Sequence, residues 1–406
     1  MTSSATTRAA QLDAHASCDR ALGLFLRGAG DPRPALDHAL DRDPGCVPAL
    51  LLRTGMAVAA KERATLVVID EAVGRLAAPA LPLVERQRGH VAAACAWRAG
   101  EHARAAAIYA GLVRRWPHDL LALRLAQSCY FLLGDARALH EVAAGALRHW
   151  REGLPGYDCA LAFHAFGLEE TGDPARAERA GRRALEIEPR NAVAVHAVAH
   201  ALHSAGDAHA GGRWMARQRA CWSNDGAMAG HNGWHLALFH LAAGEHARAL
   251  SLYDALVAPA LGASAADAAD AAALLWRLAL AGVEVGGRWG PVADAFALRG
   301  LPALWPLLDV HAALAFAAAG RTREMNRLQD ALARGGAAAR EVALPLARGI
   351  EAFAAGAHAA GAALLAAHRR SAQRLGGSAA QREIIDLTLA AARRRVTLPA
   401  ALGAAA

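Results

Sequence analysis

Two pairs of histidines in this sequence have a spacing that suits proton transfer or metal binding. His196 and His200 lie four residues apart in HAVAHALHSAGD, and His231 and His235 repeat that spacing in HNGWHLALFH. Residues four apart share one face of an α-helix, so each pair presents two imidazoles to the same side. A neutral imidazole can act as a general acid or base near pH 7. We therefore predict that His196, His231 and His235 are catalytic and that His200 contacts the ligand.

The histidines are concentrated in one part of the chain. Of the 19 histidines, eight lie between residues 196 and 246, where an even distribution would place two or three. This local excess favours a functional site over an accident of a sequence rich in alanine, arginine and histidine. Four histidines that lie near turns or on second helices are instead interpreted as surface residues: His102, His209, His246 and His358.

A metal site is a second interpretation of the same histidines. Two helices that each carry HxxxH, with a glutamate from a third helix, can supply three or four zinc ligands. However, the chain has no HExxH motif, and the two pairs lie about one helical turn apart relative to the glycines that follow them. This offset predicts a shared helix face but not convergence on one point. We therefore assign no metal ligands and no cofactor from the sequence, and the metal site stays an open alternative.

The elements that position these residues are marked by glycines at regular intervals. A helical run, a Gly-Asp or Gly-Glu pair and an Ala/Arg-rich run recur with glycines 34 to 38 residues apart: Gly100, Gly134, Gly172, Gly206, Gly244, Gly282, Gly320 and Gly356. This period is typical of tetratricopeptide-like helical hairpins. Pro117 and Pro189 each follow a turn glycine by 17 residues, where the second helix of the hairpin should end.

The repeat predicts an all-α fold, a tetratricopeptide-like α-solenoid of about ten helical hairpins. We expect residues 1–406 to form a single solenoid, with degenerate repeats over 1–75, core repeats over 80–370 and capping helices over 371–406. The first helix of each hairpin should line the concave surface. Counting back from each glycine then places the paired histidines on that surface and gives similar positions to five other polar residues: His90, Arg124, Glu169, Asp309 and His311. Of these, Asp309 and His311 are predicted to bind the ligand.

Two tryptophans lie close to the histidine helices. Trp222 and Trp234 flank the irregular stretch CWSNDGAMAGHNGWH, which opens towards His231. We predict that both contact a small ligand, whereas the other tryptophans are interpreted as packing between repeats.

Composition excludes several classes of partner. The net charge is +7, but the basic residues are spread along the helices and Lys61 is the one lysine, so no basic stripe for nucleic acid is expected. The six cysteines form no CxxC pair, which is typical of a reducing compartment. We find no signal peptide and no uninterrupted apolar span, so a soluble, cytoplasmic protein without a membrane partner is expected.

Several segments together resemble the tetratricopeptide repeat protein 38 family. They are AFGLEETGD, VHAVAHALHSAGD, GHNGWHLALFHLAAGEHARAL, ALLWRLALAGVEVG, DVHAALAFAAAGR and GGSAAQRE. The resemblance covers roughly residues 40–390, and HNGWH followed by LALFHL is its most specific part. It implies an α-helical repeat fold, but no general activity is assigned to the family.

The resemblance also implies a set of polar site residues. To the residues already named it adds Asn232, Gln381 and Arg382 as ligand-binding. The chain departs from the family pattern at two places, because Ala379 stands where a histidine is usual and Gln127-Ser128 where a His-Asp pair is expected. If those histidines are catalytic in relatives, this chain has lost or altered part of that chemistry.

Three hypotheses for function follow from these residues. The leading one is a concave pocket, lined by histidine, glutamate and tryptophan, that binds a small polar molecule. An acid–base or hydrolytic step there would use the three catalytic histidines, with Glu169 or Glu170 as the orienting or basic carboxylate. The second is a scaffold that binds a peptide of a protein partner in its groove. The third is a metal-dependent enzyme.

Overall fold

The computed structural model describes residues 2–78, 81–223, 226–300 and 303–397. Within these ranges the chain is helical and contains no β-strand, which confirms the prediction of an all-α helical-repeat fold. It divides into two compact units, Met1–Phe239 and His240–Ala406. Consecutive helices in each unit pack against one another in chain order, as in a helical-repeat solenoid.

The first unit contains the helices that carry the histidine pairs. Its helices are α1 (Thr2–Arg27), α2 (Arg33–Arg42), α3 (Val47–Ala60), α4 (Leu66–Leu76), α5 (Glu85–Arg98), α6 (His102–Arg115), α7 (Leu120–Leu133), α8 (Ala136–Leu147), α9 (Tyr157–Glu170), α10 (Pro174–Ile187), α11 (Ala192–Ala205), α12 (Ala208–Arg217), α13 (Arg219–Trp222) and α14 (Ala229–Ala242). The last of these helices begins in the first unit and ends in the second.

The second unit continues the pattern with less regular helices. They are α15 (His246–Leu252), α16 (Ala265–Leu280), α17 (Trp289–Leu298), α18 (Pro306–Ala318), α19 (Thr322–Ala333), α20 (Leu344–Ala354), α21 (His358–His368) and α22 (Ala379–Thr397). Single π-helical turns at Tyr253–Val257 and Ala339–Ala343 interrupt the pattern. The predicted capping helices over 371–406 are described here only as far as Thr397, and the remainder lies outside the described residues.

The repeated glycines act as predicted at the turns between paired helices. All eight have φ between 66° and 85°, a left-handed conformation that glycine adopts without steric cost. An aspartate often comes next and caps the second helix. Asp135, Asp173 and Asp207 each accept a hydrogen bond from the backbone amide three residues later. The Gly-Asp pair therefore ends one helix and begins the next, which explains its recurrence in the sequence.

The N-terminal helix α1 makes contacts that a simple degenerate repeat would not make. It packs against α2 and α3, and also against the distant helices α7 and α11. Arg27 at its C-terminal end donates two hydrogen bonds of 2.8 Å to the buried carboxylate of Asp158 on α9. The same carboxylate accepts a hydrogen bond from Asn191, the N-cap of α11. The end of α1 therefore covers the N-terminal ends of α9 and α11.

The segment that follows α1 also packs closely against the segment that precedes α14. A side chain at Gly226 would lie 2.5 Å from the carbonyl oxygen of Gly28, and one at Gly28 would meet Met228. Only glycine fits such an approach of two chain segments. The segment before α14 is thus held against the end of α1.

In the second unit the C-terminal helix α22 packs against α16, which comes much earlier in the chain. It also packs against α20 and α21. The indole of Trp276 donates a hydrogen bond of 2.9 Å to the hydroxyl of Thr388, and Arg277 donates one of 2.6 Å to the carbonyl of Ala380. These bonds tie residues more than a hundred positions apart.

None of the helices in the described part of the chain combines the length and the apolar character that crossing a lipid bilayer requires.

Candidate functional site

Three helices of the first unit position the predicted catalytic residues. Helix α9 ends on Glu169 and Glu170, α11 carries the first histidine pair and α14 carries the second. The buried side chain of Asn232 donates a hydrogen bond of 3.2 Å to the carbonyl of Ala192 and so attaches α14 to the start of α11. The predicted ligand contact Asn232 thus has a structural role next to the site.

The four paired histidines converge into one group, which we call the histidine cluster: His196, His200, His231 and His235. One ring nitrogen from each lies within 4.8 Å of those of the other three. The Nε2 atoms of His196 and His231 are 3.0 Å apart. The one-turn offset in sequence had predicted only a shared face. The structure shows convergence, because the ring of His196 on α11 lies 4.8 Å from that of His231 on α14, and the ring of His200 lies 4.5 Å from that of His235.

The cluster contains buried nitrogen atoms that the rest of the structure does not satisfy. His200 and His235 are 2% and 1% exposed. Neither ring nitrogen of His235, nor Nε2 of His200, has a hydrogen-bond partner among the described residues. A buried polar atom left in this way costs roughly 1–3 kcal/mol. Such groups persist where a ligand satisfies them, so the cluster has the character of a binding site.

Burial also keeps part of the cluster uncharged. Desolvation lowers the pKa of His196 and of His235 well below the usual range, and the neighbouring histidines of the cluster lower it further. At neutral pH these two imidazoles are therefore neutral, and each keeps a lone pair that can accept a hydrogen bond or bind a cation.

A carboxylate holds one histidine of the cluster in a fixed orientation. Oε2 of Glu169 lies 3.3 Å from Nδ1 of His200, and the hydroxyl of Ser204 donates a hydrogen bond of 2.8 Å to Oε1. Burial alone would raise the pKa of Glu169, but His200 and Ser204 lower it overall, so the group is a carboxylate. An N–H on Nδ1 of His200 would face this carboxylate and leave the lone pair of Nε2 free. A carboxylate oxygen of Glu170 lies within 4.8 Å of a carboxylate oxygen of Glu169 and of a ring nitrogen of His200.

Aromatic rings pack around the cluster. The buried indole of Trp234 stacks on His231 with ring centroids 5.4 Å apart, as expected for a residue that lines the site. The sequence did not identify Phe166, whose ring centroid is 5.3 Å from that of His196 and 5.4 Å from that of His200. Trp222 is also buried, and its indole donates a hydrogen bond to the carbonyl of Met215 on α12. The predicted contact of Trp222 with a ligand stays a prediction.

Arg124, which affects the cluster electrostatically, and Lys61, which is affected by Arg124, were not predicted as site residues. Arg124 on α7 lies over the ring of Phe163 at 5.8 Å, and its buried Nε has no hydrogen-bond partner in the described ranges. Desolvation lowers the pKa of Arg124, and its charge contributes to lowering the pKa of His196. Desolvation together with the Arg124 charge lowers the pKa of Lys61 to about 8. The clue in the sequence was register, since Arg124 and His196 each lie ten residues before a turn glycine.

The remaining predicted site residues belong to the second unit. Asp309 accepts a hydrogen bond of 2.8 Å from the backbone amide of Ala303, and His311 is hydrogen-bonded through Nδ1 to the carbonyl of Leu307. Gln381 forms a reciprocal cap with Ser378 at the start of α22. Arg382 donates hydrogen bonds to the carbonyls of Gly376 and Gly377. All four make structural contacts within their own unit.

We expect His311 to make the stability of the protein depend on pH. Burial lowers its pKa from 6.5 to about 4, with Arg277 lowering and Asp270 raising it. Between pH 6.5 and about 4 the unfolded chain binds a proton that folded His311 does not, so stability falls as the pH drops. At about 1.4 kcal/mol per pKa unit, the loss is about 3 kcal/mol.

Urea denaturation at pH 7 and pH 4 measures this loss. The variant His311→Leu should lose less stability between the two pH values than the wild type, by most of that amount. An equal loss in both proteins would contradict the assignment of a neutral, buried His311.

One departure from the family pattern has a structural explanation. Gln127 is buried, and its side-chain amide donates hydrogen bonds to the carbonyls of Leu139 and Phe163. It thereby connects α7 to α8 and α9. The glutamine has a packing role at the position where the resemblance leads us to expect a histidine.

A scan against protein-family models finds none that matches this chain. Membership of the tetratricopeptide repeat protein 38 family therefore stays a prediction from the sequence segments.

Proposed function

We propose that the first unit binds a small, negatively charged polar molecule at the histidine cluster and catalyses an acid–base or hydrolytic step on it. The observation that carries this proposal is the group of buried, unsatisfied side-chain nitrogens, two in His235 and one in His200. Such groups lower the stability of the folded chain, and a polar ligand would satisfy them.

The charge of the surrounding residues favours an anionic ligand. Arg124 lies close enough to affect His196 electrostatically, and its Nε has no acceptor in the described part of the chain. Lys61 carries a second positive charge in the field of Arg124. A carboxylate or phosphate group between these cations would relieve their repulsion and accept hydrogen bonds from the guanidinium. Such a ligand would also raise the pKa of Lys61 from about 8 towards its usual value.

The carboxylates supply the proposed acid–base group. Glu169 is engaged with His200 and Ser204 and so has an orienting role. Glu170 lies beside them and is partly exposed, which allows it to exchange protons with a bound molecule. We propose Glu170 as the general acid or base, with neutral imidazoles of the cluster assisting.

The peptide-binding alternative has less support. A peptide groove presents exposed side chains along an open surface, whereas His200, His235 and Trp234 are buried. The end of α1 also covers the N-terminal ends of α9 and α11. A cytoplasmic location, like the family, stays a prediction.

Replacing Arg124 by methionine tests the anionic ligand class. We expect inorganic phosphate or acetate to raise the melting temperature of the wild type and to bind the Arg124→Met variant at least tenfold more weakly, because the charge-assisted hydrogen bonds are lost. Arg114→Met is the matched control, since Arg114 is exposed and lies outside the cluster. Equal binding by the wild type and Arg124→Met, or no stabilisation by either anion, would contradict the proposal.

A further inference from the structure

We propose that the histidine cluster binds one divalent transition-metal ion of the zinc class, with His196, His200, His231 and His235 as ligands. Glu169 is the positioning residue that orients His200. The inference goes beyond anion binding by the same unit and is argued from the distances, the burial and the unused hydrogen-bonding capacity of the ligand atoms.

The distances between the nitrogens suit a single ion. Zinc binds imidazole nitrogens at about 2.0–2.1 Å, so two ligands of one ion are at most about 4.2 Å apart and about 3.4 Å apart in a tetrahedron. The four nitrogens lie within 4.8 Å of one another, and Nε2 of His196 is 3.0 Å from Nε2 of His231. Closing a separation of 4.8 Å to about 3.4 Å needs a movement of about 0.7 Å by each of the two side chains, which rotation about their χ angles can supply.

The unsatisfied nitrogens point to the same conclusion. His235 is 1% exposed, and neither of its ring nitrogens has a hydrogen-bond partner among the described residues. Nε2 of the buried His200 also has none there. The rings of His200 and His235 lie beside each other and beside the ring of His196, at centroid distances of 4.5 to 5.1 Å. A metal ion placed among these rings would use the lone pairs that the protein leaves unused.

Glu169 completes the arrangement from outside the cluster. Zinc-bound histidines commonly donate their second ring N–H to a carboxylate, which fixes the tautomer and strengthens the ligand. Nδ1 of His200 lies 3.3 Å from Oε2 of Glu169, and Ser204 holds the other carboxylate oxygen. When Nδ1 of His200 carries the proton and faces Glu169, Nε2 is available to the metal.

The ligand chemistry selects the class of ion. Imidazole suits zinc and related transition metals, whereas magnesium and calcium prefer oxygen ligands. Four neutral imidazoles leave the charge of a divalent ion uncompensated, and the carboxylates of Glu169 and Glu170 lie close enough to balance it. An anionic ligand near Arg124 would add to that balance.

Equilibrium titration of the chelator-treated full chain with Zn²⁺ tests the proposal, with Co²⁺ absorption reporting the coordination geometry. We expect one equivalent of Zn²⁺ per chain and tetrahedral Co²⁺ bands. The variant His231→Phe keeps the ring stacked on Trp234 but removes the ligand atom, so its Zn²⁺ affinity should fall at least 100-fold. Glu169→Gln should weaken Zn²⁺ binding by about 10–100-fold. His209→Phe, an exposed histidine of the same unit, is the matched control and should bind as the wild type does.

Two results would overturn the metal site. One is less than a tenth of an equivalent of bound Zn²⁺ in the wild type. The other is unchanged Zn²⁺ binding by His231→Phe when circular dichroism shows both proteins folded. Phosphate binding measured on the chelator-treated protein keeps the two proposals separate: anion binding that persists without Zn²⁺ binding removes the metal site and leaves the proposed function standing.

Discussion

Replacing Arg27 by methionine is expected to lower the free energy of unfolding of the first unit by about 3–5 kcal/mol, the usual cost of removing one partner of a buried ion pair. Asp158 is 2% exposed, and in the variant it loses the guanidinium that donates two hydrogen bonds to it. The contact between α1 and α9 weakens as well. Because α1 covers the N-terminal ends of the site helices, phosphate binding should weaken in the same variant.

Chemical denaturation of the wild type and Arg27→Met measures the effect. The matched control is Arg33→Met, which breaks an ion pair with Asp31 at the surface, where the side chains are 76% and 37% exposed. Such exposed pairs contribute about 1 kcal/mol or less. A double-mutant cycle with Asp158→Asn isolates the pair itself. A loss no larger than that of the control would show that α1 is not held by this contact.

Replacing His235 by leucine is expected to stabilise the metal-free protein while abolishing Zn²⁺ binding. The imidazole is buried and neither nitrogen has a hydrogen-bond partner in the described ranges, so its burial costs free energy that leucine does not pay. We expect the free energy of unfolding in the presence of chelator to rise by about 1–2 kcal/mol. Zn²⁺ affinity should fall at least 100-fold in the same variant.

A gain in stability together with a loss of Zn²⁺ affinity distinguishes a ligand histidine from one that stabilises the fold. A histidine that the fold needs for its own stability would cost free energy when replaced, as the loss of a buried hydrogen-bonded group does. His209→Leu serves as the control, because an exposed histidine should change stability by less than about 0.5 kcal/mol. A destabilised His235→Leu protein would contradict the account of His235 as a ligand.

The helical hairpins could be predicted from the sequence because their signals are local. Gly206 must adopt a left-handed conformation to end α11, and Asp207 next to it caps α12. Both requirements act within a few residues and recur in each repeat. Counting from the glycines therefore placed the histidine pairs on the correct helices.

Convergence of the histidines could not be predicted in the same way. The sequence gives the position of each histidine pair along its own helix. The distance between the two pairs depends instead on how α11 and α14 are displaced relative to each other. That displacement is set by packing, including the hydrogen bond from Asn232 to Ala192 and the contact between Gly226 and Gly28. These contacts join residues that are distant in sequence.

The role of the N-terminal helix was missed for a similar reason. Arg27 and Asp158 are 131 positions apart, and nothing near either residue indicates the other as its partner. Arg124 was placed on the same helix face by counting but was not chosen as a site residue, because an arginine in an arginine-rich chain has no local mark. The register of Arg124 with His196 before their turn glycines was the one available signal.

X-ray absorption spectroscopy of the zinc-loaded full chain identifies the ligands of the bound ion. We expect three or four imidazole nitrogens at about 2.0 Å from the zinc, with the more distant scattering typical of histidine rings. In His231→Phe the same shell should contain one imidazole fewer or disappear. A shell of sulfur or of oxygen alone, or a spectrum unchanged in His231→Phe, would contradict a metal centre at the histidine cluster.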